Sequence, residues 1–550
     1  MERRGKERKP FIASLKWGAG VLLVSVGLAW ASAAAAHSAE PDRFPELHRR
    51  LDEALAREEL REENVALMLF STRKKRFLYR LREEEPMIAA SNVKLATTYA
   101  ALRQLSPNFE WRTRFYRVET HDGSGDFPRQ GLLVVGGGDP SLTSRHLDEI
   151  ALQLKTRGVH WLDGALFLDD SEIPTEAGTT PLNGASGSQA WAAAPNAFIL
   201  DNNVAEFFVI ADPIGSGIEV VSRGAPDDFQ LVSHLVFSEN GGPLIRVNQA
   251  WPNGKGRFVF RGHVPLAPKV FFVSTAISDP AAYFSHRLRA SLHRRGIGGK
   301  LPLRPLPSAG LATRHIHTHR SEPLRELLTT LNKESNNLAA EMVVRALGRS
   351  RRPAEHTVEA GLAVLQGAIF RDFPKFREQV RLVDGSGLSR ENRLSASFIV
   401  HLLNRVLSHG EFRSDFVRSL SVGGWDGTLE FREYPGRIKG RIRAKSGTLA
   451  GVQNLSGYLY TLTDQVVFSF LINGDPRPFQ ELQAAQDRVL TEIFDQLLAE
   501  EAPSPPPEKS PIPPETTAAP QPAAQETQAA ARVLVPPPPS RKPAQDVGKQ

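Results

Sequence analysis

The sequence predicts an α+β fold in which a β-rich segment interrupts a core of helices and antiparallel strands. Three observations carry that reading. Amphipathic helical stretches alternate with β-branched, strand-like runs toward both ends of the chain; no repeat period runs through it; and residues 106–314 change character, being rich in Gly, Pro and short strands. A chain of 550 residues is long enough for two or three folded units, and 41% hydrophobic residues supply their cores.

The chain opens on Arg3, Arg4, Lys6, Arg8, Lys9 and Lys16, followed by an apolar run from Trp17 to Ala36 that ends in small residues offering A-x-A cleavage sites. This pattern predicts a secretory signal over residues 1–39. The run approaches bilayer-spanning length, but its alanine-rich end favours cleavage over retention as an anchor. Residues 40–105 start the first folded part. Leu47, Leu51 and Leu55 share a helical face, residues 65–70 and 77–79 read as a hairpin around the polar stretch 71–76, and a second helical stretch follows at about Ser91. The insert at 106–314 carries short strands such as 132–135 and 257–260.

Helical patterning returns in residues 315–500. Leu324, Leu327, Leu328 and Leu331 give an i, i+3, i+4, i+7 face, and the next helix begins near Ser335 with Gly348 as its expected C-terminal cap. Residues 455–462 and 466–472 form a second hairpin around Thr463-Asp464, and a last helix carries Leu482, Val489, Ile493 and Leu497. Residues 501–550 turn to Pro, Ala, Gln and charged side chains, which predicts an extended, semi-rigid tail whose sequence names no partner.

Composition excludes several chemistries. There is no cysteine, hence no disulfide, thiolate metal site or cysteine nucleophile. Of the net charge of +7, six basic side chains against Glu2 and Glu7 place a surplus in residues 1–39, and the remainder is too small to argue for nucleic acid.

Three short motifs carry chemistry. Ser91-Asn92-Val93-Lys94 is a Ser-x-x-Lys pattern opening a helix, so Ser91 and Lys94 share a face. A serine hydroxyl needs a neighbouring base, and a partly desolvated lysine is one. Ser71-Thr72-Arg73-Lys74 fits the same pattern but lies in a charged hairpin turn, where its lysine stays protonated. Ser335-Asn336-Asn337 offers a hydroxyl and a carboxamide for proton relay and for holding a substrate amide. Lys445-Ser446-Gly447-Thr448 follows a β-like run, and its lysine and hydroxyls suit a carboxylate, while Gly447 lets substrate approach the backbone.

In this order and spacing the set resembles the active-site serine penicillin-binding proteins and β-lactamases. More narrowly it resembles the D-alanyl-D-alanine carboxypeptidase/endopeptidase family of low-molecular-mass, class C type penicillin-binding proteins. That narrower likeness rests on the blocks at 136–142 (GGGDPSL), 384–390 (DGSGLSR), 426–429 (DGTL) and 447–451 (GTLAG), spread over roughly residues 44–500. The 244 residues between Ser91 and Ser335 leave room for that family's inserted domains. Ser446 stands where threonine is commoner, and Ala89 where proline often precedes the nucleophile.

The resemblance implies a transpeptidase-like domain, an antiparallel sheet flanked by helices, with β-rich domains inserted between the first two motifs. It implies an acyl-enzyme on Ser91, with Lys94 as base, Ser335 as proton relay and Asn337 on the peptide amide. Lys445, Ser446 and Thr448 hold the substrate carboxylate, and the N–H groups of Ser91 and Thr448 form the oxyanion hole. It implies no cofactor, peptidoglycan stem peptides as substrate, β-lactams as inhibitors, and a place in the periplasm or cell envelope. A β-lactamase and a non-catalytic wall-binding scaffold are the competing readings; the insert opposes the first and the intact motifs oppose the second. His315-Ile316-His317-Thr318-His319 offers three imidazoles to one strand face, but with Arg314 and Arg320 flanking and no carboxylate partner expected nearby it reads as a polar strand leading back into the catalytic part rather than a zinc site.

Overall fold

The structure, a computed structural model, describes residues 44–120, 129–174, 189–224, 229–239, 241–252, 255–308, 310–351 and 357–501. The expected signal and tail lie outside the described residues. No described helix is long and apolar enough to cross a membrane.

Helix α1 (Pro45–Arg57), strands β1 (Val65–Ser71), β2 (Arg76–Leu81) and β3 (Met87–Ile88), and helix α2 (Val93–Gln104) come first. The interruption holds β4 (Arg112–Thr120), β5 (Arg129–Val135), α3 (Ser144–Thr156), β6 (Leu166–Asp169), β7 (Val204–Asp212), β8 (Gly217–Ser222), β9 (Phe229–Ser238), β10 (Leu244–Ala250), β11 (Gly256–Pro265), β12 (Lys269–Ala276), α4 (Pro280–Arg294) and β13 (Thr313–Arg320). Then follow α5 (Leu324–Lys333), α6 (Asn337–Arg351), α7 (Val358–Asp372), β14 (Val380–Arg381), β15 (Arg393–Leu394), α8 (Ala396–Ser408), α9 (Arg413–Ser419), β16 (Ser421–Val422), β17 (Ile442–Leu449), β18 (Val452–Tyr460), β19 (Gln465–Asn473) and α10 (Phe479–Glu501).

The main sheet runs β16-β17-β18-β19-β1-β2 and is antiparallel throughout, so the first hairpin and the last are neighbours despite lying at opposite ends of the chain. Helices cover both faces. Leu47, Leu51 and Leu55 of α1 and Leu482, Val489 and Ile493 of α10 pack on one. The other is covered by α2, α5, α6, α7 and α8. Strands β18 and β19 are therefore buried on both faces, and alternation gives way to near-continuous apolar runs. Helix α2 is buried on every side from Val93 to Leu102, and its alanines and threonines let neighbouring helices close around it.

The interrupting segment builds three small sheets, β13-β4-β5-β6, β12-β7-β8 and β10-β11-β9, around a shared core that also takes in Leu338 and Met342 of α6. Strands β5 and β6 pair in parallel, with α3 as the crossover. Gly138, at φ 67°, comes so close to α6 that an added Cβ would lie 2.4 Å from the Met342 methyl.

Two expectations are corrected. Gly348 does not end a helix; α6 continues to Arg351. A Cβ on Gly348 would lie 2.9 Å from the Gly361 nitrogen, and one on Gly361 2.1 Å from the Val344 carbonyl oxygen, so these glycines serve the close crossing of α6 and α7. The strand at 313–320 pairs with β4 as an edge of the insert's sheet before the chain runs into α5. A bulge between His315 and His317 sets His315 opposite Tyr116 and His317 opposite Phe115, residues on opposite faces of β4. The three imidazoles therefore do not share one face. Nor is a carboxylate distant in space: Asp139 Oδ2 lies 3.4 Å from His319 Nε2. Among the described residues no group of three or more His, Asp or Glu stands in metal-binding arrangement.

Candidate active site

Ser91 sits in a single 3-10 turn, Ala90–Asn92, that runs straight into α2. Ala90 is held at φ 45°, in the left-handed region that costs a residue with a side chain free energy. Two asparagines hold the turn in place. Asn92 Nδ2 donates to Ser456 Oγ on β18 at 2.7 Å, and Asn454 Nδ2 donates to the Ile88 and Ala89 carbonyls at 2.9 Å each.

The three-residue spacing brings Lys94 under the serine. Its Nζ lies 3.0 Å from Ser91 Oγ, 2.7 Å from Asn337 Oδ1 and 2.6 Å from the Ser386 carbonyl oxygen. The side chain is fully buried. Burial disfavours the ammonium and brings Lys94 down to about 7, against the opposing pull of Asp384 and Glu341. A buried amine that is half neutral at pH 7 and hydrogen-bonded to a hydroxyl can take that hydroxyl's proton.

Strand β17 forms the opposite wall. β16 pairs only with Arg443 and Ala444, so from Lys445 to Leu449 the strand has β18 alone as its sheet neighbour. Gly447 faces the serine turn so closely that a Cβ would meet the Ala89 oxygen and the Ser91 nitrogen, each at 3.1 Å. Thr448 is exposed, and its hydroxyl donates to Gln453 Oε1 at 3.1 Å. Behind it Gln453 donates to Gln486 at 3.3 Å, and the buried Arg432 grips Gln486 at 3.1 Å and Asp487 at 2.7 Å. Ser446 Oγ donates to Thr428 Oγ1 at 2.7 Å, which ties the 426–429 block to the strand.

The structure thus brings Ser91, Lys94, Asn337 and Gly447 into one cleft. Ser335 stands on the same wall as Asn337 with its backbone at φ 56°, but its hydroxyl makes no hydrogen bond to Ser91 or Lys94. Lys445 is fully buried and donates to the Ser446 carbonyl at 2.8 Å; burial, with Lys94 and Arg432 nearby, holds it well below the ordinary lysine value. The alternative Ser71-x-x-Lys74 is a charged turn: Ser71 bonds Asp464, and Lys74 pairs with Glu500 at the surface. Sequence reasoning missed three neighbours. Trp191 of the insert accepts from Asn337 Nδ2 through its carbonyl at 3.0 Å, Thr428 braces Ser446, and Glu341 lies buried on α6. Thr428 lies in the 426–429 block, and Glu341 left a local signal, a carboxylate four residues past Asn337 amid Leu338, Met342 and Val343.

The family model for D-Ala-D-Ala carboxypeptidase 3 (S13) matches residues 47–493, which takes in every part of this cleft. The chain belongs to the S13 family. Among similar proteins, a D-alanyl-D-alanine carboxypeptidase of Actinomadura sp. (strain R39) is 28% identical over 464 residues, 82% of this chain and 85% of that protein. The D-alanyl-D-alanine carboxypeptidase DacB of Haemophilus influenzae is 27% identical over 402 residues, 70% of this chain and 81% of its own. Penicillin binding protein 4 (dacB) of Haemophilus influenzae superposes with a TM-score of 0.67 at 23% identity, covering 82% of this chain and 99% of that one, so this S13 chain shares its α+β fold.

Proposed function

We propose that this S13 chain is an exported serine D,D-peptidase that cleaves D-alanyl-D-alanine-type bonds in peptidoglycan stem peptides and cross-links, and that penicillins acylate it. The observation that carries the reading is the 3.0 Å contact between Ser91 Oγ and the buried Lys94 amine.

Ser91 Oγ attacks the carbonyl carbon of the penultimate D-alanine as Lys94 takes the hydroxyl proton. The open edge of β17 receives the substrate backbone as an added strand, and Asn337 holds its amide. The N–H groups of Ser91 and Thr448 face the developing oxyanion, each such donor being worth roughly 3 to 4 kcal/mol. Ser446 and Thr448 take the terminal carboxylate, with Lys445 buried beneath them and bonded to the Ser446 carbonyl. Catalytic hydrogen bonds often close only around bound substrate, and Ser335 is assigned the proton delivery to the departing amine on that ground. Collapse of the tetrahedral intermediate expels the terminal D-alanine or the cross-bridge amine, and water frees the acyl group from Ser91. Export rests on the basic and apolar residues of 1–39, which direct the chain to the periplasm.

The test is covalent labelling of the mature protein with a fluorescent penicillin, mapped by peptide mass spectrometry, beside Ser91→Ala. Label on Ser91 alone, absent from the variant, with D-alanine released from a stem pentapeptide, is expected. Label that survives the substitution sinks the proposal.

A further inference from the structure

Glu341 lies on α6 one turn beyond Asn337 and is almost wholly buried. Its carboxylate faces both a turn and a cation. Oε1 accepts from the N–H groups of Gly385 and Ser386, both at 3.0 Å, while the Arg345 guanidinium stands 4.0 Å away. The next polar atom of the turn's backbone, the Ser386 carbonyl oxygen, accepts from Lys94 Nζ at 2.6 Å. Helix α2 grips the turn a second time, with Thr97 Oγ1 donating to the Gly385 carbonyl at 2.7 Å. Asp384 folds the turn from within by accepting from Gly387 N at 2.6 Å, Ser389 N at 2.7 Å and Asn392 Nδ2 at 2.9 Å. Gly387, at φ 83°, meets the nucleophile's own backbone: a Cβ there would lie 1.8 Å from the Ala90 oxygen.

Burying a carboxylate is expensive, and a neutral carboxamide would accept the same two backbone bonds. Arg345 offsets only part of that cost, so a charge at this position needs a further reason. We propose that Glu341 is a positioning residue for Lys94: its carboxylate holds the Gly385–Ser386 turn, and the turn and the charge together hold the amine against Ser91. This rests on the reading of Lys94 as the general base.

The groups facing Glu341 are Lys94 from α2, Asp384 and Ser386 from the turn, and Arg345 from its own helix. Burial first and Asp384 second raise Glu341 to about 7, with Arg345 opposing. Both carboxylates favour the Lys94 ammonium. Removing the charge while keeping the shape makes Lys94 easier to deprotonate. Removing the shape as well frees the turn.

The experiment measures the second-order rate of acylation by a fluorescent penicillin from pH 5 to 9, with thermal melting, for the wild type, Glu341→Gln and Glu341→Ala. Glu341→Gln is expected to move the acidic limb of the profile to lower pH by about half a unit or more, since charge removal shifts a neighbouring lysine downward. Glu341→Ala is expected to lose about 10²-fold at the plateau, the cost of a misplaced reacting group, and more than Glu341→Gln loses. An acidic limb unmoved in folded Glu341→Gln overturns the proposal, and that variant decides the matter even where Glu341→Ala fails to fold. A wild type that is not acylated at all refutes the Ser91–Lys94 reading instead, a separate result.

Discussion

The perturbation that probes this cleft most directly is pH. Lys94 sits at about 7, where an ordinary lysine is at 10.5. The neutral fraction of a base falls about tenfold for each pH unit below its pKa, so at pH 7 an unburied lysine would be neutral in only about three molecules in ten thousand. Burial of Lys94 makes it neutral in about half, roughly three orders of magnitude more base at neutral pH. Acylation that needs the neutral amine is expected to rise with pH and level off above about 8, and to stand near one-hundredth of the plateau at pH 5. Protonating Glu341, which is also brought to about 7, removes a negative charge that favours the Lys94 ammonium. The two groups therefore exchange protons over the same interval, and the limb spreads beyond a single titration. Stopped-flow acylation by a fluorescent penicillin measures this directly, because the drug's own carboxylate stays ionised throughout, with thermal melting to exclude unfolding. A rate that is flat from pH 5 to 8, or one still climbing tenfold per unit at pH 9, refutes the argument.

The same burial carries a stability prediction for Lys94→Met. Because the folded pKa lies below the unfolded one, the native state carries the full cost below about 7. From there to 10.5 the unfolded chain binds the extra proton, so native stability rises with pH across that window. The shift corresponds to about 5 kcal/mol, offset in the variant by the acceptors left at Asn337 and Ser386. Lys94→Met is thus expected to abolish acylation without lowering the melting temperature at pH 6, and its stability relative to wild type should fall as pH is raised from 7 to 10; a variant markedly less stable at pH 6 contradicts this. Gly447→Ala tests the opposite wall. Its Cβ would crowd the Ala89 oxygen and the Ser91 nitrogen at 3.1 Å, so the serine turn must give by a few tenths of an ångström. Acylation is expected to fall by at least about tenfold with an unchanged melting temperature, since small displacements of a nucleophile are costly; full activity in that variant would mean the wall does not set the serine's position.

Local chemistry decides which of these features a sequence can reveal. The 455–462 and 466–472 hairpin was legible because a polar Thr463-Asp464 turn separates two apolar runs, and Asp464 does hold that turn, accepting from its own strand and from Ser71. Gly348 misleads because a glycine that lets two helices cross looks, in one dimension, the same as one that ends a helix. The histidines of β13 mislead because a bulge is a property of the pairing with β4, and alternation counted along one strand cannot see it. The site divides the same way. Ser91 and Lys94 are three residues apart across the 3-10 turn and the first residues of α2, so their contact follows from helical geometry. Glu341 meets the turn at 385–386 only because α6 and the 384–390 segment converge on α2, and nothing in their spacing predicts it. Lys445 is buried and bonded along its own strand, a placement that its motif alone does not reveal. What makes Lys94 a base is likewise not its identity but its desolvation. That is set by Val93, Leu95, Ala96 and Tyr99 sealing α2 on all sides, so the chemistry of the motif is written in the packing of the helix that bears it.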